Sequence, residues 1–272
     1  MQSKFSLEGK VIVVTGGTGI IGHSFIKGIT EAGGAVGILG RNEEVANQRA
    51  DKVNREGGKA IALIADVLDE KGLEAAKSKV LDKFGKIDGL VNAAGGNMPE
   101  AVVQKDDDIF KMNMDGMRKA VDLNLWGTLI PTQVFGQVIS QNKQKGSIIN
   151  ISSMSPKRVI TRVLGYSMGK AAIDCYTQWF AVEMANRFGD KIRMNAIAPG
   201  FFLTEQNRTL LTNTDGTFTE RGTLVLKQTP FKRFGHTDEL IGAMVWLLSD
   251  ASEFVTGTVI NVDGGFFVNS GV

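Results

Sequence analysis

The chain has one cysteine, Cys175, and two histidines among its 272 residues. A lone cysteine excludes an intramolecular disulfide, and so few histidines leave no cluster of metal ligands, so neither a disulfide scaffold nor a metal centre is expected. Cys175 itself reads as a small buried hydrophobe. The chain also lacks any apolar run approaching about 18 residues, and its first ten residues hold no apolar core of signal-peptide length; both point away from membrane insertion or export and toward a cytoplasmic protein. An excess of charge of one sign is missing too. The 31 basic and 29 acidic residues are interspersed and leave a net charge of +2, which argues against nucleic acid or an anionic membrane as partner and makes a small molecule the default. Without repeats, low-complexity segments or a linker that would split it, residues 1–272 are expected to form one domain. Glycine is abundant instead, with 33 residues, and much of the excess clusters where strands hand over to helices.

Hydrophobic periodicity predicts a regular alternation. Strands are expected at residues 10–15, 35–39, 60–64, 88–92, 147–151, 192–197 and 258–262. Helices are expected at 20–32, 43–56, 70–84, 117–141, 165–188 and 238–248. Strand and helix alternate about every 25 residues through the first half, which is the pattern of βαβ units. By the right-handed crossover rule these build one doubly wound parallel sheet of about seven strands, a Rossmann-type α/β fold with helices on both faces. Two irregular segments interrupt the rhythm, near 95–116 and 201–230, and are placed to line a substrate site.

Gly17-Thr18-Gly19-Ile20-Ile21-Gly22 fits G-x-G-x-x-G, directly after the first strand and opening the first helix. Small residues there let the backbone approach a pyrophosphate, and the helix N-terminal amides meet its charge. The ribose end of such a site lies after the second strand, where a carboxylate would select NAD. This chain has Gly40 and then Arg41. With no carboxylate to repel a 2′-phosphate and a guanidinium to bind one, NADP is favoured and NAD is the alternative. Asn42 is a second candidate at that end. Asp66, after the third strand, is placed to accept from an adenine amine or to cap the next helix.

Residues 165–170, Gly-Tyr-Ser-Met-Gly-Lys, admit two chemistries. Tyr166 and Lys170, four apart on a helix, would lie on one face as an acid/base pair. Gly165 to Gly169 also fits G-x-S-x-G, with Ser167 as a nucleophile and Asp190 or Asp215 and His236 following in the order of the α/β-hydrolases. The hydrolase alternative needs a strand ending at Gly165 and leaves the glycine loop without a role. A cofactor-sensing protein without catalysis is a third alternative.

Taken together, the glycine loop at residues 15–22, Asp66-Val67, Asn92-Ala93-Ala94-Gly95, Asn124, Ser153, Tyr166-x-x-x-Lys170, Pro199-Gly200 and the Val-Asp-Gly-Gly at 262–265 resemble the short-chain dehydrogenase/reductase family over essentially the whole chain. The resemblance implies catalysis by Asn124, Ser153, Tyr166 and Lys170. Tyr166 would exchange a proton with the substrate oxygen while hydride moves between nicotinamide and carbon, Lys170 would stabilise the phenolate and hold the ribose, and Ser153 would donate to the substrate carbonyl. Asn124 would hold a water that links Lys170 to solvent. It further implies cofactor contacts from Gly16, Gly17, Thr18, Gly19, Ile20, Gly22, Asp66, Val67, Asn92, Ala93, Ala94, Gly95, Tyr166, Lys170, Pro199, Gly200 and Thr204, and a homotetramer built on the two long helices and the last strand. One departure is the loop spacing, with Ile20 where the common branch of the family has glycine and an added Gly19.

Within the family, residues 94–97, 125–135 and 195–211 resemble the D-mannonate oxidoreductase (fructuronate reductase) members. This implies a sugar-acid substrate, with a neutral polyol or ketone, or a 3-oxoacyl compound, as the alternative. In that subgroup an acidic residue at the Gly40 position and NAD would be expected, in tension with Gly40-Arg41. A substrate carboxylate needs a cation. Lys157, Arg158, Arg162 and Arg208 are candidates, and Asn97, Gln206 and Asn207 could serve hydroxyls.

Overall fold

Five short runs rich in β-branched and aliphatic residues start the sheet, all but the edge strand β3 buried on both faces: Val11–Thr15 (β1), Ala35–Gly40 (β2), Lys59–Ile64 (β3), Gly89–Asn92 (β4) and Gly146–Ile151 (β5). Ile192–Pro199 (β6) and Val259–Val262 (β7) complete it in a computed structural model that describes residues 3–204, 208 and 210–271. All seven are parallel, in the order β3-β2-β1-β4-β5-β6-β7. The order reverses between β1 and β4. Connections leave these two strands in opposite directions, and the crevice this opens at their carboxyl ends is where a doubly wound sheet binds ligands.

Strand side chains alternate between two cores. Ile12 and Val14 of β1 face Phe25 and Ile29 of α1 (Ile20–Glu31), and the same cluster takes in Ala50 of α2 (Glu43–Arg55). Val11 and Val13 face the other way, in a cluster with Leu73 of α3 (Glu70–Phe84), Phe135 of α4 (Met114–Gln141) and Met184 of α5 (Leu164–Phe188). Fully burying one such aliphatic or aromatic side chain contributes about 1.5–3 kcal/mol. A nine-residue helix, α6 (Glu220–Gln228), and α7 (Ile241–Leu248) follow β6. Among the described residues no helix is long and apolar enough to cross a membrane.

The irregular segments hold more structure than their sequence suggests. Residues 95–116 contain two 3-10 turns, Pro99–Ala101 and Ile109–Lys111, and α4 begins within them, at Met114, because the Asn113 side chain accepts from the Gly116 amide and caps it. The segment 201–230 contains α6, capped by Thr219. Of the residues expected as an α-helix at 238–248, the first form a 3-10 turn, Thr237–Leu240. Cys175 is exposed rather than buried. It lies on an apolar outer stripe of α5 with Met168, Trp179 and Val182, which are also exposed, so apolar character there does not mark the core face.

The glycine loop separates a glycine that packing requires from one that it does not. A Cβ on Gly22 would stand 2.2 Å from the Gly16 carbonyl oxygen, whereas one on Gly19 would meet only that oxygen at 3.3 Å. Gly22→Ala is expected to lower the unfolding free energy by more than about 2 kcal/mol and Gly19→Ala by less than about 1 kcal/mol, read from urea denaturation. Equal losses would contradict this packing.

Candidate active site

At the carboxyl end of β1 the chain turns through Gly16, at φ +64°, where a Cβ would lie 2.7 Å from the Ala93 carbonyl oxygen. The Thr15 hydroxyl accepts from the amides of Ala93 and Ala94, both at 3.1 Å, so the ends of β1 and β4 are tied across the crevice. Helix α1 starts at Gly19 with no side-chain cap and no acidic residue in its first turn. Its N-terminal amides and dipole are therefore left for an anion. With glycines that admit close backbone approach, this loop fits the pyrophosphate of a dinucleotide. Arg49, on α2, braces it by donating to the carbonyls of Gly17 and Gly19. Arg49 was not apparent from the sequence, where it is one more charge on a polar helix.

At the ribose end, a Cβ on Gly40 would lie 2.5 Å from the Thr18 hydroxyl. Thr18 occupies the space that a carboxylate-bearing side chain at position 40 would need. Arg41 is exposed, 3.6 Å from Asp66, whose other oxygen accepts from the Leu68 amide at 3.0 Å. The cap of α3 is Asp69, not Asp66. Asn42 caps α2 by accepting from the Val45 amide, and Asn92 is buried, donating to Thr132 and Asn150 at 2.9 Å. The Asn42 side chain thus caps a helix, and that of Asn92 ties β4 to α4 and β5. Val67 is buried against Gly127, and Gly200 packs on Asp263 at the exit of β6. The Thr204 carbonyl accepts from the Arg208 amide.

The long helices deliver the remaining groups. On α5, a Cβ on Gly165 would lie 3.1 Å from Ala120 Cβ, and one on Gly169 would lie 2.9 Å from Asn124 Cβ. These two glycines let α5 close onto α4. Ser167 is in the first turn of the helix, its hydroxyl donating to the Val163 carbonyl at 3.0 Å. No strand ends at Gly165, and His236 caps the turn that follows it while Asp190 pairs with Lys145. Asp215 accepts from the Thr217 amide and hydroxyl in a local turn, so the nucleophile-elbow alternative fails on each count; the G-x-S-x-G glycines serve helix packing.

That packing buries Lys170. Its ammonium donates to the Ile151 carbonyl at 2.7 Å, lies 5.6 Å from the centre of the Tyr166 ring, and would be 3.2 Å from a Cβ on Gly95. Burial lowers its pKa to about 8, against a smaller opposing effect of Asp174. Burial raises the pKa of the Tyr166 phenol, and a hydrogen bond with Ser153 offsets part of that. The Asn124 amide donates to the carbonyls of Gly96 and Ala120, both at 2.7 Å, and its oxygen accepts from the Gly96 amide. Its side chain is thereby clamped to the loop after β4. Asp174 continues the stripe of Tyr166 and Lys170 by one more turn. It is buried, accepts from the Ser152 hydroxyl, and its carboxyl is pushed up by burial; the four-residue spacing from Lys170 was the signal that could have found it.

The expected substrate residues are dispersed. Arg162, at φ +78°, donates to the Val103 carbonyl and to Gln104; Asn97 and Arg208 are exposed. Arg158 donates to the Asn269 carbonyl, and the Lys157 ammonium sits over the Phe267 ring. Gln206 and Asn207 lie outside the described residues.

A glycine-lined dinucleotide crevice beside a half-buried tyrosine and a buried lysine defines a nicotinamide-dependent oxidoreductase, and the chain belongs to the short-chain dehydrogenase/reductase family. A family model described as enoyl-(acyl carrier protein) reductase matches residues 18–267. UxuB of Bacillus subtilis, described as an uncharacterized oxidoreductase, is 41% identical over 276 residues that cover 98% of each chain. A Haemophilus influenzae protein provisionally named a D-mannonate oxidoreductase, solved with bound NAD, superposes with a TM-score of 0.90 at 39% identity over 98% of each chain. A gluconate 5-dehydrogenase from Burkholderia cenocepacia, solved with NADP and tartrate, gives 0.85 at 32% identity, covering 97% of this chain and 98% of that one.

Lysine burial has a consequence for stability. Between pH 8 and the ordinary lysine value of 10.5, the unfolded chain binds a proton at residue 170 that the folded chain does not, so stability rises with pH in that window. Relative to Lys170→Met, the native chain carries a penalty of roughly 3 kcal/mol below pH 8 that disappears toward pH 10.5. Urea unfolding of both proteins at pH 7, 8.5 and 10 should show the difference changing by that amount; a difference independent of pH would contradict the burial of a charged ammonium.

Proposed function

We propose that this protein is a cytoplasmic, homotetrameric NADP-preferring oxidoreductase that interconverts a keto group and a secondary alcohol on a sugar acid of the D-mannonate/fructuronate type. The observation that carries the reading is the buried Lys170 ammonium beside Tyr166, with Ser153 bonded to the phenol and the Gly95 turn against the lysine. Bound in the crevice, the coenzyme supplies or accepts the hydride. Tyr166 passes a proton to the substrate oxygen in reduction and removes it in oxidation. Ser153 donates to the same oxygen and fixes it near the phenol. In reduction the raised phenol pKa keeps the acid protonated at neutral pH. The phenolate left behind is then stabilised by the Lys170 charge. Asn124 holds Gly96, and with it the turn against which Lys170 rests.

Three observations support the finer points. The named activities of the Haemophilus and Burkholderia proteins concern sugar acids. NADP preference rests on Gly40 closed over by Thr18 and on exposed Arg41 next to it; the Haemophilus protein holds NAD, so the preference is a property of these residues in this chain. An exposed ion pair such as Arg41 with Asp66 contributes little and leaves the guanidinium able to turn to a phosphate. The exposed apolar stripe of α5 supports self-association through the long helices.

Two measurements test this. With purified enzyme, kcat/KM for NADPH over NADH should exceed one, and Arg41→Ala should lower that ratio about tenfold; a clear NADH preference in the parent would reject it. On a panel of keto-uronates and neutral ketones run with both coenzymes, reduction should favour the acids, and reduction of neutral ketones alone would reject the substrate class.

A further inference from the structure

The amides of the glycine loop fall into two sets. Those of Gly17 and Gly19 are taken, donating to the Leu39 carbonyl at 2.8 Å and to the Gly16 carbonyl at 2.9 Å. Those of Thr18 and Ile20 meet no acceptor among the described residues. A trans peptide sets each N–H antiparallel to the C=O of the residue before it, so the direction of these two amides is fixed by the carbonyls of Gly17 and Gly19. One side chain holds both carbonyls. Arg49 Nη1 donates to the Gly17 oxygen at 2.5 Å and to the Gly19 oxygen at 2.7 Å.

Arg49 reaches the loop from α2, which follows β2, whereas the crevice opens on the other side of β1, toward β4. Carbonyls drawn toward α2 therefore turn the Thr18 and Ile20 amides toward the crevice. The Gly19 carbonyl also accepts from the His23 amide at 3.0 Å, which begins the first turn of α1 and leaves the Ile20 amide among the donors at the helix start. The guanidinium is half-buried, spends these donors on neutral oxygens and pairs with no carboxylate among the described residues. A charge without a counter-ion behind the loop favours an anion in front of it, and the chain from guanidinium through carbonyl to amide polarises each amide as a donor.

We propose that Arg49 is the positioning residue of the pyrophosphate subsite, aiming and polarising the Thr18 and Ile20 amides and acting on the coenzyme through them. Recognition is thereby divided along one helix. Arg41, just before α2, serves the ribose end, where NADP and NAD differ; Arg49, further along it, serves the diphosphate that both share. This role rests on the dinucleotide crevice alone and is independent of which coenzyme or substrate is preferred.

Binding to the coenzyme-free enzyme tests it, by nicotinamide fluorescence for NADH and NADPH and by displacement of NADH for ADP and adenosine. Arg49→Met should raise the Kd of NADH, NADPH and ADP by a common factor of about tenfold, and leave that of adenosine, which has no phosphate, within about twofold. Arg49→Lys keeps the charge without the planar fork and should lose about threefold. An unchanged Kd for NADH and NADPH overturns the role. So does a loss confined to NADPH, which would put the guanidinium at the 2′-phosphate, and so does adenosine weakened as much as ADP, which would mean a general loss of structure. If Arg49→Met does not fold, Arg49→Lys is read by the same three comparisons. A parent that prefers NADH rejects the NADP reading and leaves this test intact, because the factor is taken for each ligand against the parent's own Kd.

Discussion

The close approach of α5 to α4 is the constraint on which the site depends. Gly165 and Gly169 have no side chains to hold the helices apart, and the Cβ atoms of Ala120 and Asn124 fill that space from α4. A side chain at Gly169 would push α5 away from Asn124, and with it Lys170, one residue further on. The same approach lets Lys170 reach the end of β5 and donate to Ile151 while resting against Gly95 at the end of β4. Three elements that are distant in sequence are thereby registered on one ammonium. The glycines that suggest a hydrolase in one dimension are, in three, the contact that makes an oxidoreductase.

Burial sets the electrostatics that follow. It moves Tyr166 up and Lys170 down, so in the coenzyme-free chain both groups lean toward their neutral forms. Proton transfer is then governed by the charges added to this dry pocket, and each is worth more there than in water. Asp174 stands one turn below as a buried carboxyl tied to Ser152, the neighbour of Ser153. It links the charge state of the helix stripe to the position of the strand end that carries the serine.

Local spacing was legible in the sequence, and direction was not. The glycine loop, the pairing of Tyr166 with Lys170, and the doubly wound parallel sheet that follows from βαβ units all depend on offsets the chain displays openly, whereas the strand order itself is seen only in the structure. Asn42, Asp66 and Asn92 show the limit. A polar residue at a strand end has the same sequence signature whether it turns to a ligand or to the frame, and the side chain of Asn42 caps a helix while that of Asn92 ties β4 to α4 and β5. Cys175 misled for a related reason. Helix α5 is apolar on more than one side, so periodicity could not separate the face that enters the core from the stripe that remains outside.

Hydride transfer in a single turnover tests the central claim most directly, with the enzyme preloaded with reduced coenzyme and mixed with a keto-acid substrate. Tyr166→Phe keeps the ring and removes the hydroxyl. The account predicts a fall of about 1,000-fold in the rate of transfer, a size typical of a lost general acid, with coenzyme affinity within about twofold of the parent. Transfer at the parent rate in Tyr166→Phe would contradict it.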